Sequence, residues 1–300
     1  MKRFYLLTAL LLSACLQEIP ATPVPSQEIN FAALETATAI PSENLIIASP
    51  TPSLPTPTQP FVFLPASPLP AGPISIIAIG DSLTQGDGDD TGRGYPGRVL
   101  EMITSIRPGS SLTNFGQSGW SSDALINGDQ GLPSQLTRAK AEVKAATDQG
   151  RGSVVFVWIG SNDLWYLYEY GWGLDAVAES ADLQRFSANL DTILSELRIA
   201  GAQVIIALLD DQSKRPVAIR GEAFTSITKD ELGQMSVQVQ HYNEVISQKA
   251  EQYGALTVDF YSTDIFTNPA TLYDDGNHPN QAGYDIIAQM WFEVLSSILK

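Results

Sequence analysis

The chain has a single cysteine, Cys15, in 300 residues. An internal disulfide is therefore impossible, and no cysteine remains for a zinc cluster or thiol catalysis in the body of the chain. Histidine is nearly as scarce, with only His241 and His278. Any imidazole base must be one of these two. Basic residues are also few, 17 Lys and Arg against 33 Asp and Glu, for a net charge of −16. That balance disfavours nucleic acid and anionic lipid surfaces as partners. The apolar run at the start, Phe4 to Leu12, falls well short of the roughly 20 residues of a membrane-spanning helix.

What the first residues do contain is an export pattern. Met1-Lys2-Arg3 is basic, the apolar run follows, and Leu12-Ser13-Ala14-Cys15 closes it. Small residues before a cysteine resemble the bacterial lipobox, which implies cleavage before Cys15, lipidation of its thiol and an exported, envelope- or surface-anchored protein. An ordinary secretory signal is the alternative. Residues 16–73 then hold 13 of the 19 prolines, with only four charges, Glu18, Glu28, Glu35 and Glu43. Such a segment cannot pack a core and reads as an extended tether, able to hold a domain on the order of 100 Å from its anchor. The expected organisation is a signal peptide over 1–14, a lipidated tether over 15–73 and a catalytic domain over 74–300.

The domain opens on Ile74, Ile76, Ile77, Ala78 and Ile79, an apolar run typical of a strand buried on both faces, and Gly80-Asp81-Ser82 follows. Further strands are expected at 112–115, 154–159, 204–209 and 256–260. Helices are expected at 95–106, 133–149, 182–200, 234–253 and 280–298. Residues 210–233 read as an irregular insertion. Alternating strands and helices predict an α/β domain, a three-layer α/β/α sandwich around a five-stranded parallel sheet. In such a sheet the C-terminal strand ends share one edge. Ser82, Gly116 and Asn162 each follow a strand, and Asp275 and His278 follow the fifth, so they can converge there.

The chemistry of these residues is coherent. A serine hydroxyl needs a base that titrates near neutrality, and histidine ordinarily does so at about 6.5. His278 follows Asp275 by three residues, a spacing at which the carboxylate can hold Nδ1–H and leave Nε2 facing Ser82. An acylation rate that climbs through roughly pH 6–7 is the corresponding expectation. His241 lies mid-helix with no acid three or four residues before it, and reads as a partly exposed helix residue. Attack on an ester builds charge on oxygen. Backbone N–H groups of Ser82 and Gly116 and the Asn162 amide are the expected oxyanion donors. Singly, Gly116 reads equally as a turn glycine and Asn162 as an Asx-turn residue.

Gly80-Asp81-Ser82-Leu83, Asn114-Phe115-Gly116, Gly160-Ser161-Asn162-Asp163 and Asp275-Gly276-Asn277-His278 resemble, in order, the four blocks of the SGNH (GDSL-type) hydrolases. The resemblance spans roughly 74–298. It implies a flavodoxin-like fold, catalysis by Ser82, His278 and Asp275 without a cofactor, and an oxyanion hole from Ser82, Gly116 and Asn162. The absence of a Gly-x-Ser-x-Gly elbow around Ser82 argues against the α/β-hydrolase family.

An aromatic stretch, Trp165, Tyr166, Tyr168, Tyr170 and Trp172, directly follows the Asn162 loop. Trp165, Tyr166 and Tyr168 are the expected substrate contacts, with half of the stretch equally readable as core. A small acyl ester, an O-acetylated glycan, a lysophospholipid and a thioester all stay open as substrates. So does a tethered glycan-binding module with an idle triad. The string Gly92 to Gly97 matches a dinucleotide fingerprint but follows a loop rather than a strand. Asp87, Asp89 and Asp90 fail the calcium-loop pattern because Arg98 stands at its twelfth position.

Overall fold

Every strand of the sheet runs parallel, in the order β2-β1-β3-β4-β5. The computed structural model describes residues 63, 65–171, 174–222 and 224–299. The strands are β1 (Ile74–Gly80), β2 (Ser111–Asn114), β3 (Gly152–Trp158), β4 (Gln203–Leu208) and β5 (Leu256–Asp259). β1 is buried along its whole length except at Ser75, as a strand covered on both faces must be. Each fully buried Ile or Val contributes about 1.5–3 kcal/mol.

The helices are α1 (Ser82–Gln85), α2 (Gly94–Ile106), α3 (Ser122–Asn127), α4 (Gln135–Asp148), α5 (Ser161–Tyr170), α6 (Ala176–Ile199), α7 (Pro216–Arg220), α8 (Lys229–Tyr253) and α9 (Gln281–Ser296). Side-chain alternation along β3 sorts them into layers. Phe156 and Trp158 point toward α2 and α9, where the Tyr95 and Trp291 rings stack at 5.0 Å. On the other face α4, α6 and α8 pack side by side, with Phe186 of α6 stacked on Tyr242 of α8 at 4.2 Å. The result is the expected three-layer α/β/α sandwich. Its strand order reverses between β1 and β3, the switch point at which doubly wound sheets open a crevice.

Two helices begin well before their expected starts. α6 begins at Ala176, because Asp175 accepts from the N–H groups of Val177 and Ala178. α8 begins at Lys229, because Thr228 and Glu231 form a capping box. The insertion is consequently shorter than 210–233 and partly helical, with a 3-10 turn at Gln212–Lys214 leading into α7.

Packing of the described residues also starts before Ile74. The Leu69 N–H donates to the Ile298 carbonyl at 2.7 Å, and the Phe63 ring lies 5.0 Å from that of Tyr253. Apolar side chains spaced among prolines can dock without forming an element of their own, so Phe63 and Leu69, within the expected tether, pack on the domain. Cys15, the expected signal peptide, most of the expected tether and Trp172 lie outside the described residues.

Candidate active site

Where the chain leaves β1, a side chain replaces a sheet neighbour. The buried Gln135 amide on α4 accepts from Gly80 N–H at 2.8 Å and donates to Gly80 C=O at 2.9 Å. Gly80 has φ +152°, and a Cβ there would sit 2.1 Å from the Trp158 carbonyl. No side chain fits. Asp81 then caps α1, accepting from Leu83 N–H at 3.0 Å. Ser82 becomes the first residue of α1, and no acceptor takes its N–H among the described residues.

The loop after β5 brings the other two groups. Asp275 Oδ1 accepts from the N–H groups of Asn277 (2.8 Å) and His278 (3.0 Å). Asp275 Oδ2 lies 2.6 Å from His278 Nδ1, and His278 Nε2 lies 3.0 Å from Ser82 Oγ. Partial burial pushes the Asp275 carboxyl up, but the hydrogen bonds from the His278 ring and the two N–H groups outweigh it and bring it to about 2. It is therefore an anion at neutral pH, suited to holding Nδ1–H and leaving Nε2 as acceptor. Ser82, His278 and Asp275 thus form one hydrogen-bonded chain. His241 is exposed on α8, with Nδ1 3.0 Å from Gln238 Oε1.

Asp81 has the opposite electrostatics. Complete burial raises its carboxyl to about 7, against the pull of the Leu83 N–H and the Arg215 guanidinium. Its Oδ2 has no hydrogen-bond partner among the described residues.

A cleft of about 330 Å³ opens over this chain of groups, lined by Ser82, Ser118, Gly119, Asn162, His278 and, on its walls, Trp165, Tyr166, Tyr170, Arg215, Phe224 and Asn277. A larger groove of about 430 Å³ lies between α8 and β5, and none of these polar groups borders it.

The oxyanion expectation needs one correction. Gly116 does not line the cleft: its N–H donates to Asn114 Oδ1 at 2.9 Å, and a Cβ would come 2.4 Å from Gln85 N. Its missing side chain serves close packing against α1, the turn-glycine alternative. Gly119, three residues on, borders the cleft, and its N–H has no acceptor among the described residues. The Asn162 amide donates one hydrogen to Trp120 C=O at 2.9 Å, leaving the second available. A glycine just past Ser118 was readable in the sequence, but nothing there ranked it above Gly116.

Among the aromatics, helical geometry decides. Trp165 stacks on Phe224 at 4.2 Å, and Tyr166 donates to Gly119 C=O at 2.7 Å. Tyr168 is not a cleft residue: it is 2% exposed, and its hydroxyl donates to Glu179 of α6. Tyr170, 67% exposed, takes its place because positions 166 and 170 share one helix face. Phe224 and Arg215 come from the insertion, whose placement no local pattern disclosed. Asp89 of the loop after α1 is engaged by the buried Arg98.

The fold is similar to that of solved structures. An acetylxylan esterase from Geobacillus stearothermophilus superposes with a TM-score of 0.51 at 21% identity, over 75% of this chain and 95% of that one. The psychrotrophic esterase EstA from Pseudoalteromonas sp. gives a TM-score of 0.51 at 17% identity, over 75% and 98%. The uncharacterized protein YpmR of Bacillus subtilis (strain 168) is 25% identical over 231 residues, 74% of this chain and 81% of that protein. Residues 78–286, a range that includes Ser82, Asn162, Asp275 and His278, match the GDSL-like lipase/acylhydrolase family. With that match on a parallel five-stranded sheet, the chain belongs to the GDSL-like lipase/acylhydrolase family.

Proposed function

We propose that the protein is a serine esterase that cleaves short acyl esters, O-acetyl esters of glycans among them, through an acyl-enzyme. The observation that carries this reading is the Ser82–His278–Asp275 hydrogen-bonded chain at the floor of the cleft. His278 Nε2 takes the Ser82 proton as Oγ attacks the carbonyl carbon. The N–H groups of Ser82 and Gly119 and the free Asn162 hydrogen receive the developing oxyanion. His278 then protonates the leaving alcohol, and water enters to reverse the sequence on the acyl-serine. A cleft of about 330 Å³ lies at the small end of ligand pockets, which favours short acyl groups over the fatty chain of a lysophospholipid. The acetylxylan esterase relative supports testing acetylated glycans first.

Ser82→Ala is expected to keep the fold and lose 4-nitrophenyl acetate turnover by at least about 10³-fold. Full turnover by that variant ends the proposal. Glycan binding by a parent protein that hydrolyses nothing selects the binding-module reading instead.

Export and lipid anchoring at Cys15 belong to the same proposal and rest on the sequence pattern at residues 1–15. Cys15→Ser is expected to move the protein from the membrane fraction to the medium. Retention in the membrane fraction counts against the anchor.

A further inference from the structure

Asn277 sits between the two catalytic-loop residues and borders the cleft, yet the proposed acylation chemistry makes no use of its side chain. Its orientation is imposed from below. Arg215, almost fully buried, pairs bidentately with Asp210 through Nε (2.8 Å) and Nη2 (2.6 Å), and its guanidinium lies 4.5 Å from the Phe266 ring centroid. The remaining Nη1 donates to Asn277 Oδ1 at 2.8 Å and to the Asn277 carbonyl at 3.3 Å. A guanidinium only donates, so the amide atom it holds must be the oxygen. The NH₂ group is thereby turned the other way, and Nδ2 lies 3.4 Å from His278 Nε2.

That distance is too long for a good hydrogen bond. Nε2 already has Ser82 Oγ at 3.0 Å, and no other acceptor reaches Nδ2 among the described residues. A donor is thus held on one long contact, to an acceptor shared with Ser82, beside the nitrogen that delivers the proton to the leaving group. An oxygen about 3 Å from Nε2, where proton transfer requires it, can also lie about 3 Å from Nδ2.

We infer that Asn277, aimed by Arg215, holds the alcohol oxygen of the ester as it departs. This rests on the esterase reading above and adds to it the part of the substrate that Asn277 recognises. In the step, the Ser82 Oγ–carbon bond forms and the carbon–alkoxy oxygen bond breaks. The proton taken from Ser82 passes from Nε2 to the departing oxygen, while the Nδ2 hydrogens stay on Asn277 and donate. Asp210 neutralises Arg215, so Arg215 is a positioning residue and not an anion site. The device matters for alkyl and sugar esters, whose alkoxides are poor leaving groups. It matters little for a nitrophenyl ester, whose phenolate departs unaided.

The test compares ethyl acetate with 4-nitrophenyl acetate, which form the same acetyl-enzyme. Asn277→Ala is expected to lower kcat/KM for ethyl acetate by roughly 10- to 100-fold and that for 4-nitrophenyl acetate only a fewfold. Asn277→Leu, which fills the space without a donor, should behave alike. Arg215→Lys should show the same selectivity in weaker form, with circular dichroism reporting whether it folds. Equal losses on both esters by the two Asn277 variants indicate a purely structural role and overturn the inference, as does no loss on either. Ser82-dependent turnover with no ester discrimination at Asn277 sinks this inference alone, whereas Ser82-independent turnover sinks the esterase reading.

Discussion

Phe224 lies flat on Trp165, with ring centroids 4.2 Å apart and planes 5° from parallel. Trp165 belongs to α5 and Phe224 to the segment before α8, so the stack joins the insertion to the wall of the cleft that Ser82 and His278 line. Phe224 holds this position at φ +56°, a left-handed backbone that costs a non-glycine residue about 1–2 kcal/mol.

Removing the ring is expected to widen the cleft. Phe224→Ala should raise activity on butyryl and hexanoyl esters relative to acetyl esters. Phe224→Gly should do the same yet melt at least as high as Phe224→Ala, since glycine tolerates the positive φ. A chain-length series and thermal denaturation of both variants check this. An unchanged chain-length profile removes Phe224 from the specificity wall.

Gly116 and Asn162 separate the packing role seen for the one from the oxyanion role proposed for the other. Gly116→Ala forces a Cβ against Gln85 N and is expected to cost about 1–3 kcal/mol of stability, seen in urea denaturation. Asn162→Ala removes a proposed oxyanion donor and is expected to lower kcat by about 10²–10³-fold with KM little changed. Steady-state kinetics on the folded variants read the difference.

The pH dependence of stability carries the signature of Asp81. Its folded carboxyl is raised from 3.8 to about 7 by complete burial, so folding favours its protonated form. The resulting stability is fully present below about pH 4 and is lost as pH rises through about 7, with a total on the order of 4 kcal/mol. Asp81→Asn keeps the cap to Leu83 and removes the titration. Relative to the parent, the variant should gain stability steadily between pH 4 and pH 7 and then level off. Urea midpoints at several pH values test the sign. A variant difference that is flat in pH shows Asp81 is not protonated by the fold.

Arg98 and Asp89 pair in a buried site. Burial pushes the Asp89 carboxyl up, but Arg98, the Thr91 hydroxyl and the N–H groups of Thr91 and Gly94 hold it well below the ordinary range. Arg98→Met strands that carboxylate and is expected to cost about 3–5 kcal/mol. Adding Asp89→Leu should recover only part, because the Thr91 and Gly94 N–H groups then lose their acceptor. Double-mutant denaturation at pH 7 measures the coupling, and full recovery would show that the loop does not need Asp89.

The amino-acid sequence alone determined the layered α/β plan, because β-branched runs and helical periodicity are local properties that burial then enforces. It also singled out Ser82, Asp275, His278 and Asn162, since strand ends of a parallel sheet share an edge whatever the packing details. Tertiary structure decided the rest. Gly116 and Gly119 are both small residues in one loop, and only the contact with α1 tells packing from access. Tyr168 and Tyr170 are equally aromatic, and only the helical phase of α5 sends one into the core and the other to the cleft. The role of residues 210–224 was invisible because Arg215 and Phe224 act on partners about 60 positions away, Asn277 in one direction and Trp165 in the other. Such contacts arise from the folded path of the chain and leave no local pattern to read.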